Sequence, residues 1–174
     1  GEIKSIGTIG TDLSALRKAE ENLQAVESHF SEILRIAPQA IISMNVDGII
    51  LMFNDAAENT FGYRRNEVVG QSLHVLLPEY VRREHAGLVK SFVDGPDSVR
   101  FLSKRSEISG RRRDGSLFPA EASISKLQSE DQTILTVTMQ DISERKQTHE
   151  DLRKALVEAE RANQAKTEFL ATMS

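Results

Sequence analysis

The sequence predicts an α+β domain, in which an antiparallel sheet of five strands carries short helices on one face, between two long flanking helices of coiled-coil type. Two isoleucine-rich runs meet at Asp47-Gly48, a pair that favours a tight hairpin turn. Short helical segments and one longer helix, 81–92, come next. Three more strand-like runs then complete an order typical of this class: 99–108, 117–127 and 133–140.

The composition of the chain limits which classes of partner and which kinds of chemistry are expected. The 174 residues suit one domain with connecting segments, and a net charge of −4 gives no general attraction to nucleic acid or to an anionic membrane. We therefore expect no nucleic-acid partner and no membrane contact for this chain, and a cytoplasmic location. Because the sequence has no cysteine, disulfides, thiolate ligands and cysteine nucleophiles are excluded.

The first linker helix is predicted over residues 15–37, before Pro38. Its apolar positions are spaced alternately by three and four residues, the pattern of a coiled-coil seam. The seam predicts a homodimer through the linker helices, and the alternative is packing on the chain's own domain. The seam residues are Leu16, Ala19, Leu23, Val26, Phe30, Ile33 and Ala37.

A second helix is predicted over residues 144–174, directly after the last strand, where it would move together with the sheet. Its seam is rich in alanine and interrupted by Lys166, so it should shift at low cost. Asp141 or Ser143 is placed to cap the first turn, and Asp141 and Arg145, four apart, are spaced for an ion pair. We therefore predict Asp141, Ser143 and Arg145 as the relay residues.

Two segments of the chain resemble each other at an offset of 129 residues. Asp12 corresponds to Asp141, each at the end of a strand-like run, and Leu23 corresponds to Leu152, each in the charged helical run that follows. A fixed offset favours tandem copies of one module, and the alternative is chance similarity. On this basis residues 1–14 are predicted to be the last strand of a preceding copy.

Other sequence signals concern a helix cap, a hairpin turn and the search for catalytic motifs. Asp55, with Glu58 three residues later, is predicted to cap a short helix. The run Arg111-Arg112-Arg113 is predicted to form a solvated hairpin. No set of nucleophile, base and orienting residue is visible, and no glycine-rich phosphate loop, so we do not predict that this chain itself is catalytic.

A set of motifs over residues 34–145 resembles the PAS domain, and the domain is placed at 38–143. The resemblance is carried by 54–58 (NDAAE), 61–63 (FGY), 76–78 (LLP), 112–115 (RRDG) and 141–145 (DISER). The tail, 165–174, resembles the run just before the phospho-accepting histidine of bacterial sensor histidine kinases. The resemblance implies a kinase core later in the same chain, a response regulator as partner and two-component signalling.

Within that family, the sequence is most similar to the haem-based oxygen-sensing group. The resemblance implies that His85, on the longer helix, ligates the iron of haem b. The arginine that lies over the bound gas in that group aligns with Ser106 here, and a bulge in the strand would let the neighbouring Arg105 take its place. Flavin is disfavoured, since its adduct-forming cysteine is missing. A ligand-free spacer remains the alternative. The residues that would line the haem pocket are Leu88, Val89, Phe101, Ile108, Ala122, Ile124 and Leu135.

Overall fold

The computed structural model describes residues 6–102, 108–129 and 132–174, with side chains described from residue 13 onward. Five α-helices and a 3-10 helix accompany six strands in the described residues. The helices are α1 (Ile6–Ile36), α2 (Asp55–Phe61), α3 (Arg65–Val68), the 3-10 helix (Leu73–Leu76), α4 (Glu79–Val93) and α5 (Ser143–Met173). The strands are β1 (Ala40–Met44), β2 (Ile50–Phe53), β3 (Val99–Phe101), β4 (Ile108–Arg111), β5 (Leu117–Gln128) and β6 (Thr133–Asp141).

All strand pairs are antiparallel, in the order β2-β1-β6-β5-β3, and β4 also pairs with β5. The predicted hairpin joins β1 to β2, and Gly48 takes a φ of 77°, which glycine adopts without a steric penalty. Strands β3 and β4 pair with successive parts of β5, at 123–125 and at 117–120. Six strands therefore fill five positions across the sheet, and the single strand predicted over 99–108 is two strands instead.

One face of the sheet is covered by the short helices. Along β5 the side chains of Phe118, Ala120, Ala122 and Ile124 are buried, and those between them are partly exposed. This alternation is what a strand with one covered face requires. The covering helices add apolar side chains to the same core: Ala57 and Phe61 from α2, Val89 and Phe92 from α4. The predicted α+β class, PAS-like in its order of elements, is confirmed.

The opposite face carries small hydroxyl side chains. Ser43 on β1 and Thr136 on β6 lie 3.1 Å apart at their oxygens, and Ser123 on β5 and Thr138 on β6 lie 2.7 Å apart. These cross-strand hydrogen bonds tie the three central strands together without apolar burial.

The start of the chain differs from the prediction. Residues 6–14 belong to helix α1 and not to a strand, and residues 1–5 lie outside the described residues. A helix satisfies its own backbone hydrogen bonds, whereas a strand needs a neighbour, and no described strand pairs with this segment. A preceding copy of the module stays a prediction.

Candidate functional site

The junction between β6 and α5 is held by Asp141. One carboxylate oxygen accepts the backbone N–H of Ser143 at 2.8 Å, which satisfies a free donor at the helix start. The other oxygen accepts from the Arg112 guanidinium. Burial raises the pKa of Asp141, but the hydrogen bonds from Ser143 and Arg112 outweigh burial and leave its pKa below the usual value. Asp141 is therefore ionised and fixed at the exit of the domain.

Arg112 connects this exit to the helical layer. Besides Asp141, its guanidinium donates to the backbone carbonyl of Thr60, near the end of α2. The same group lies 4.3 Å from the centre of the Phe118 ring, within the range of a cation–π contact. Because its side chain is 30% exposed and that of Asp141 is 25% exposed, the pair is partly shielded from bulk water. One side chain thus joins α2, the core and the start of the exit helix.

The two neighbouring arginines also turn toward the domain. Arg111 donates to the carbonyl of Val75 in the 3-10 helix, at 3.1 Å. Arg113 pairs with Glu67 on α3 at 2.8 Å and lies over the Tyr63 ring. The predicted hairpin is present between β4 and β5, and Arg113 is exposed as expected. Arg111 and Arg112, in contrast, bind acceptors on the helical side, which the sequence run of three cations did not reveal.

Arg145 has a different partner from the predicted one. Its guanidinium pairs with Glu121 on β5, with one nitrogen–oxygen distance of 3.4 Å. Asp141 lies four residues earlier, but its carboxylate is engaged by Arg112 and Ser143. The first turn of α5 is thus bound to the sheet at two points, through Asp141 and through Arg145.

The interior differs from the predicted haem pocket. Val89, Ala122, Ile124 and Leu135 are at most 7% exposed and belong to one apolar core, against which Ile108 packs. Leu88 and Phe101, in contrast, are 58% and 60% exposed. Leu88 lies about 100° around α4 from the buried Val89, and Phe101 is on a three-residue strand at the sheet edge. These two residues do not line the interior.

The candidate iron ligand contacts another histidine. The rings of His85 on α4 and His74 in the 3-10 helix lie 5.8 Å apart, edge to face. Burial, and to a smaller extent the charge of His74, lower the pKa of His85. Arg105 lies outside the described residues. Leu88 and Phe101 lie outside the core that the other described lining residues form, and haem at His85 stays a prediction.

The linker seam faces solvent from Leu16 to Ile33. Its five large apolar side chains are between 49% and 66% exposed, which is a large apolar stripe for a single chain to leave in water. They are Leu16, Leu23, Val26, Phe30 and Ile33. Helix α5 exposes a sparser set: Leu152, Leu156, Phe169, Leu170 and Met173.

Sequence reasoning missed Asn54, the one polar residue that is buried among those described, at 2% exposed. It, and not Asp55, caps α2, since its side-chain oxygen accepts the N–H of Ala57 at 3.0 Å. The same oxygen accepts from Ile41 at 2.9 Å, and the amide nitrogen donates to the carbonyls of Leu34 and Gln39. An asparagine directly before a helical run is a capping signal that the sequence did offer.

The fold and these contacts define a small α+β domain set between two helical connectors, with polar links at both junctions. A family model described as PAS domain matches residues 38–144. The chain therefore belongs to the PAS domain family, as predicted. None of the described helices combines the length and the apolar character needed to span a bilayer.

The chain is similar to parts of sensor histidine kinases. It is 30% identical over 164 residues to the sensor protein FixL of Bradyrhizobium diazoefficiens, covering 92% of this chain and 32% of FixL. It is 32% identical over 158 residues to the cell-division control histidine kinase PdhS of Brucella ovis, covering 89% of this chain and 15% of PdhS. The chain thus spans a third or less of these relatives, and it is homologous to a PAS domain of sensor histidine kinases.

Solved structures confirm the fold. The PAS domain of an HTR-like protein from Haloarcula marismortui has a TM-score of 0.63 and 22% identity, covering 72% of this chain and 99% of that one. An RNA-binding light-oxygen-voltage receptor has a TM-score of 0.60 and 20% identity, covering 81% of this chain and 40% of that one.

Proposed function

We propose that this chain is the sensory and dimerisation module of a sensor histidine kinase, placed between linker helices that pass a signal to a kinase core in the same chain. The observation that carries the proposal is the bond pattern of Arg112, which joins the end of α2 to Asp141 at the start of α5. The homology to FixL and PdhS supports the class of parent protein. A response regulator as downstream partner and a cytoplasmic location follow from that class.

In this proposal, the helical layer is the input side and α5 the output. A ligand, or a movement arriving through α1, shifts α2 against the sheet. Because Arg112 binds both Thr60 and Asp141, the shift alters the capping of Ser143. Such a cap is worth on the order of 1 kcal/mol, enough to bias two helix positions several-fold and small enough to be remade.

The relay is tested by Asp141→Ala in the full-length kinase, with autophosphorylation measured with and without the stimulus. We expect the protein to remain folded and the response to the stimulus to be lost. Asp151→Ala, a change of the same kind on α5 but away from the sheet, is the matched control and should respond normally. An Asp141→Ala kinase that keeps the full response would show that the cap serves the stability of the helix only.

The second part of the proposal is a homodimer through α1. Leu23 and Val26 are 61% and 66% exposed, and their burial against a partner helix would remove apolar surface from water. Replacing both with Asp puts unpaired charges into that contact. Sedimentation should then give a monomer, whereas Gln24→Asp with Ser28→Asp, which adds the same charge outside the seam, should leave the dimer intact. Equal masses for wild type and the seam variant would contradict dimerisation through α1.

The ligand-free alternative has one observation in its favour. Val89, Ala122, Ile124 and Leu135, which were predicted to line a pocket, pack in the apolar core. The absorbance spectrum of the purified protein separates the two readings, since haem gives a strong Soret band. A Soret band that is lost in His85→Ala would support the haem sensor.

A further inference from the structure

The end of helix α1 has a backbone acceptor that the helix cannot satisfy itself. In an α-helix the carbonyl of Leu34 would accept from the N–H of residue 38, and residue 38 is proline, which has no N–H. The side-chain amide of Asn54 donates to this carbonyl at 3.1 Å. The domain therefore supplies the hydrogen bond that the helix lacks.

The two halves of the Asn54 amide serve different parts of the chain. The nitrogen donates to Leu34 and to Gln39 at 3.0 Å, and both acceptors belong to the entering connection. The oxygen accepts from Ile41 at the start of β1 and from Ala57 in α2, both part of the domain. Since the partners are backbone carbonyls on one side and backbone N–H groups on the other, the orientation of the amide is unambiguous.

The amide is planar and rigid, and its residue is 2% exposed, so all four bonds are shielded from water. A displacement of the last turn of α1 must either break the bonds to nitrogen or move the oxygen. Movement of the oxygen would shift Ile41 in β1 and the cap of α2 together.

We propose that Asn54 is the positioning residue that couples α1 to the domain, so that a movement of the entering helix reaches β1 and α2 through its side-chain amide. This coupling rests on the proposed function and deepens it, because it names the residue through which a movement of α1 would reach α2. The sequence motifs did not identify this coupling at the entrance of the domain.

Two substitutions separate coupling from capping. Asn54→Asp keeps an oxygen for Ile41 and Ala57 but replaces the donor with a second acceptor facing two carbonyls. Asn54→Ser keeps a side-chain oxygen that can cap α2 but has no amide nitrogen, so the bonds to the carbonyls of Leu34 and Gln39 are lost. Asn66→Asp, at an exposed asparagine, is the control for the change of charge.

The measurement is amide NMR on the whole 174-residue chain, with α1 perturbed by Ser28→Pro, which breaks the helix whether or not it pairs with a partner. In the wild-type and Asn66→Asp backgrounds we expect Ser28→Pro to shift the amide signals of Ile41 and Ala57. In the Asn54→Asp background these shifts should be largely lost. Amide exchange in the last turn of α1 should become roughly tenfold faster there.

Equal shifts of Ile41 and Ala57 in the wild-type and Asn54→Asp backgrounds would overturn the proposal, as would an absence of any shift in the wild type. If Asn54→Asp does not fold, Asn54→Ser decides the question by the same comparison, since it too should lose the shifts of Ile41 and Ala57. Sedimentation of the variant with Asp at positions 23 and 26 tests the dimer separately. Failure of the coupling through Asn54 and failure of the proposed function can therefore be told apart.

Discussion

Replacing Arg112 with Gln should destabilise the domain well beyond an ordinary surface change. Three contacts are lost: the hydrogen bond to Thr60, the ionic hydrogen bond to Asp141 and the cation over Phe118 at 4.3 Å. A hydrogen bond to a charged partner contributes about 1.5–3 kcal/mol and a neutral one about 1 kcal/mol. The cation–π contact adds about 0.5–1 kcal/mol. Since shared contacts are not additive, we expect a loss of about 2–4 kcal/mol in the free energy of unfolding.

Urea unfolding at one fixed protein concentration measures this loss, because any dimer makes stability depend on concentration. Arg113→Gln is the matched control from the next position. Its side chain is 57% exposed and its ion pair with Glu67 is open to solvent, so the cost should stay within about 1 kcal/mol. If the two variants unfold at the same urea concentration, the reasoning that Arg112 holds the exit together is refuted. A double-mutant cycle with Asp141→Asn should then give no coupling energy.

Two further predictions concern packing and pH. A methyl group at Gly110 would lie 2.3 Å from the buried ring of Phe118, so Gly110→Ala should lower the free energy of unfolding by about 1–3 kcal/mol, as overpacking does. Gly87→Ala on α4, where a Cβ meets nothing within 4 Å, should be neutral or stabilising by up to about 1 kcal/mol; equal destabilisation by both would contradict the steric argument. Because the pKa of Asp141 is lower in the folded state, its contribution to stability is present above the unfolded pKa of about 3.9 and is lost as pH falls through and below that value. Between about pH 5 and about pH 3, roughly one unit either side of that pKa, the free energy of unfolding should therefore fall less in Asp141→Asn than in the wild type. Parallel curves for the two proteins would show that this carboxylate is not involved.

The order of elements could be predicted because it depends on local signals. The Asp47-Gly48 turn, the isoleucine-rich runs and Pro38 each act within a few residues, and each has the predicted effect in the structure. The ends of α5 and of the central strands were placed within a few residues for the same reason.

The partners of charged side chains could not be predicted in this way. Arg112 reaches a carbonyl 52 positions earlier and a carboxylate 29 positions later, and sequence spacing contains no information on such contacts. The expected pair of Asp141 with Arg145 relied on helical spacing alone, and a competing partner on β5, Glu121, lay outside that reasoning. Asn54 was overlooked because its role depends on an unsatisfied carbonyl that only the folded end of α1 presents.

The order of strands has a consequence for how such a module can spread among proteins. β1, which follows the entering helix, lies directly beside β6, which precedes the leaving helix, and Ala40 at the start of β1 pairs with Met139 near the end of β6. The chain therefore enters and leaves the domain at adjacent points, the arrangement in which insertion of a whole domain into another protein is best tolerated. A gene rearrangement could place this unit within a helical stalk, or remove it, and the two cut ends of the stalk would still lie side by side.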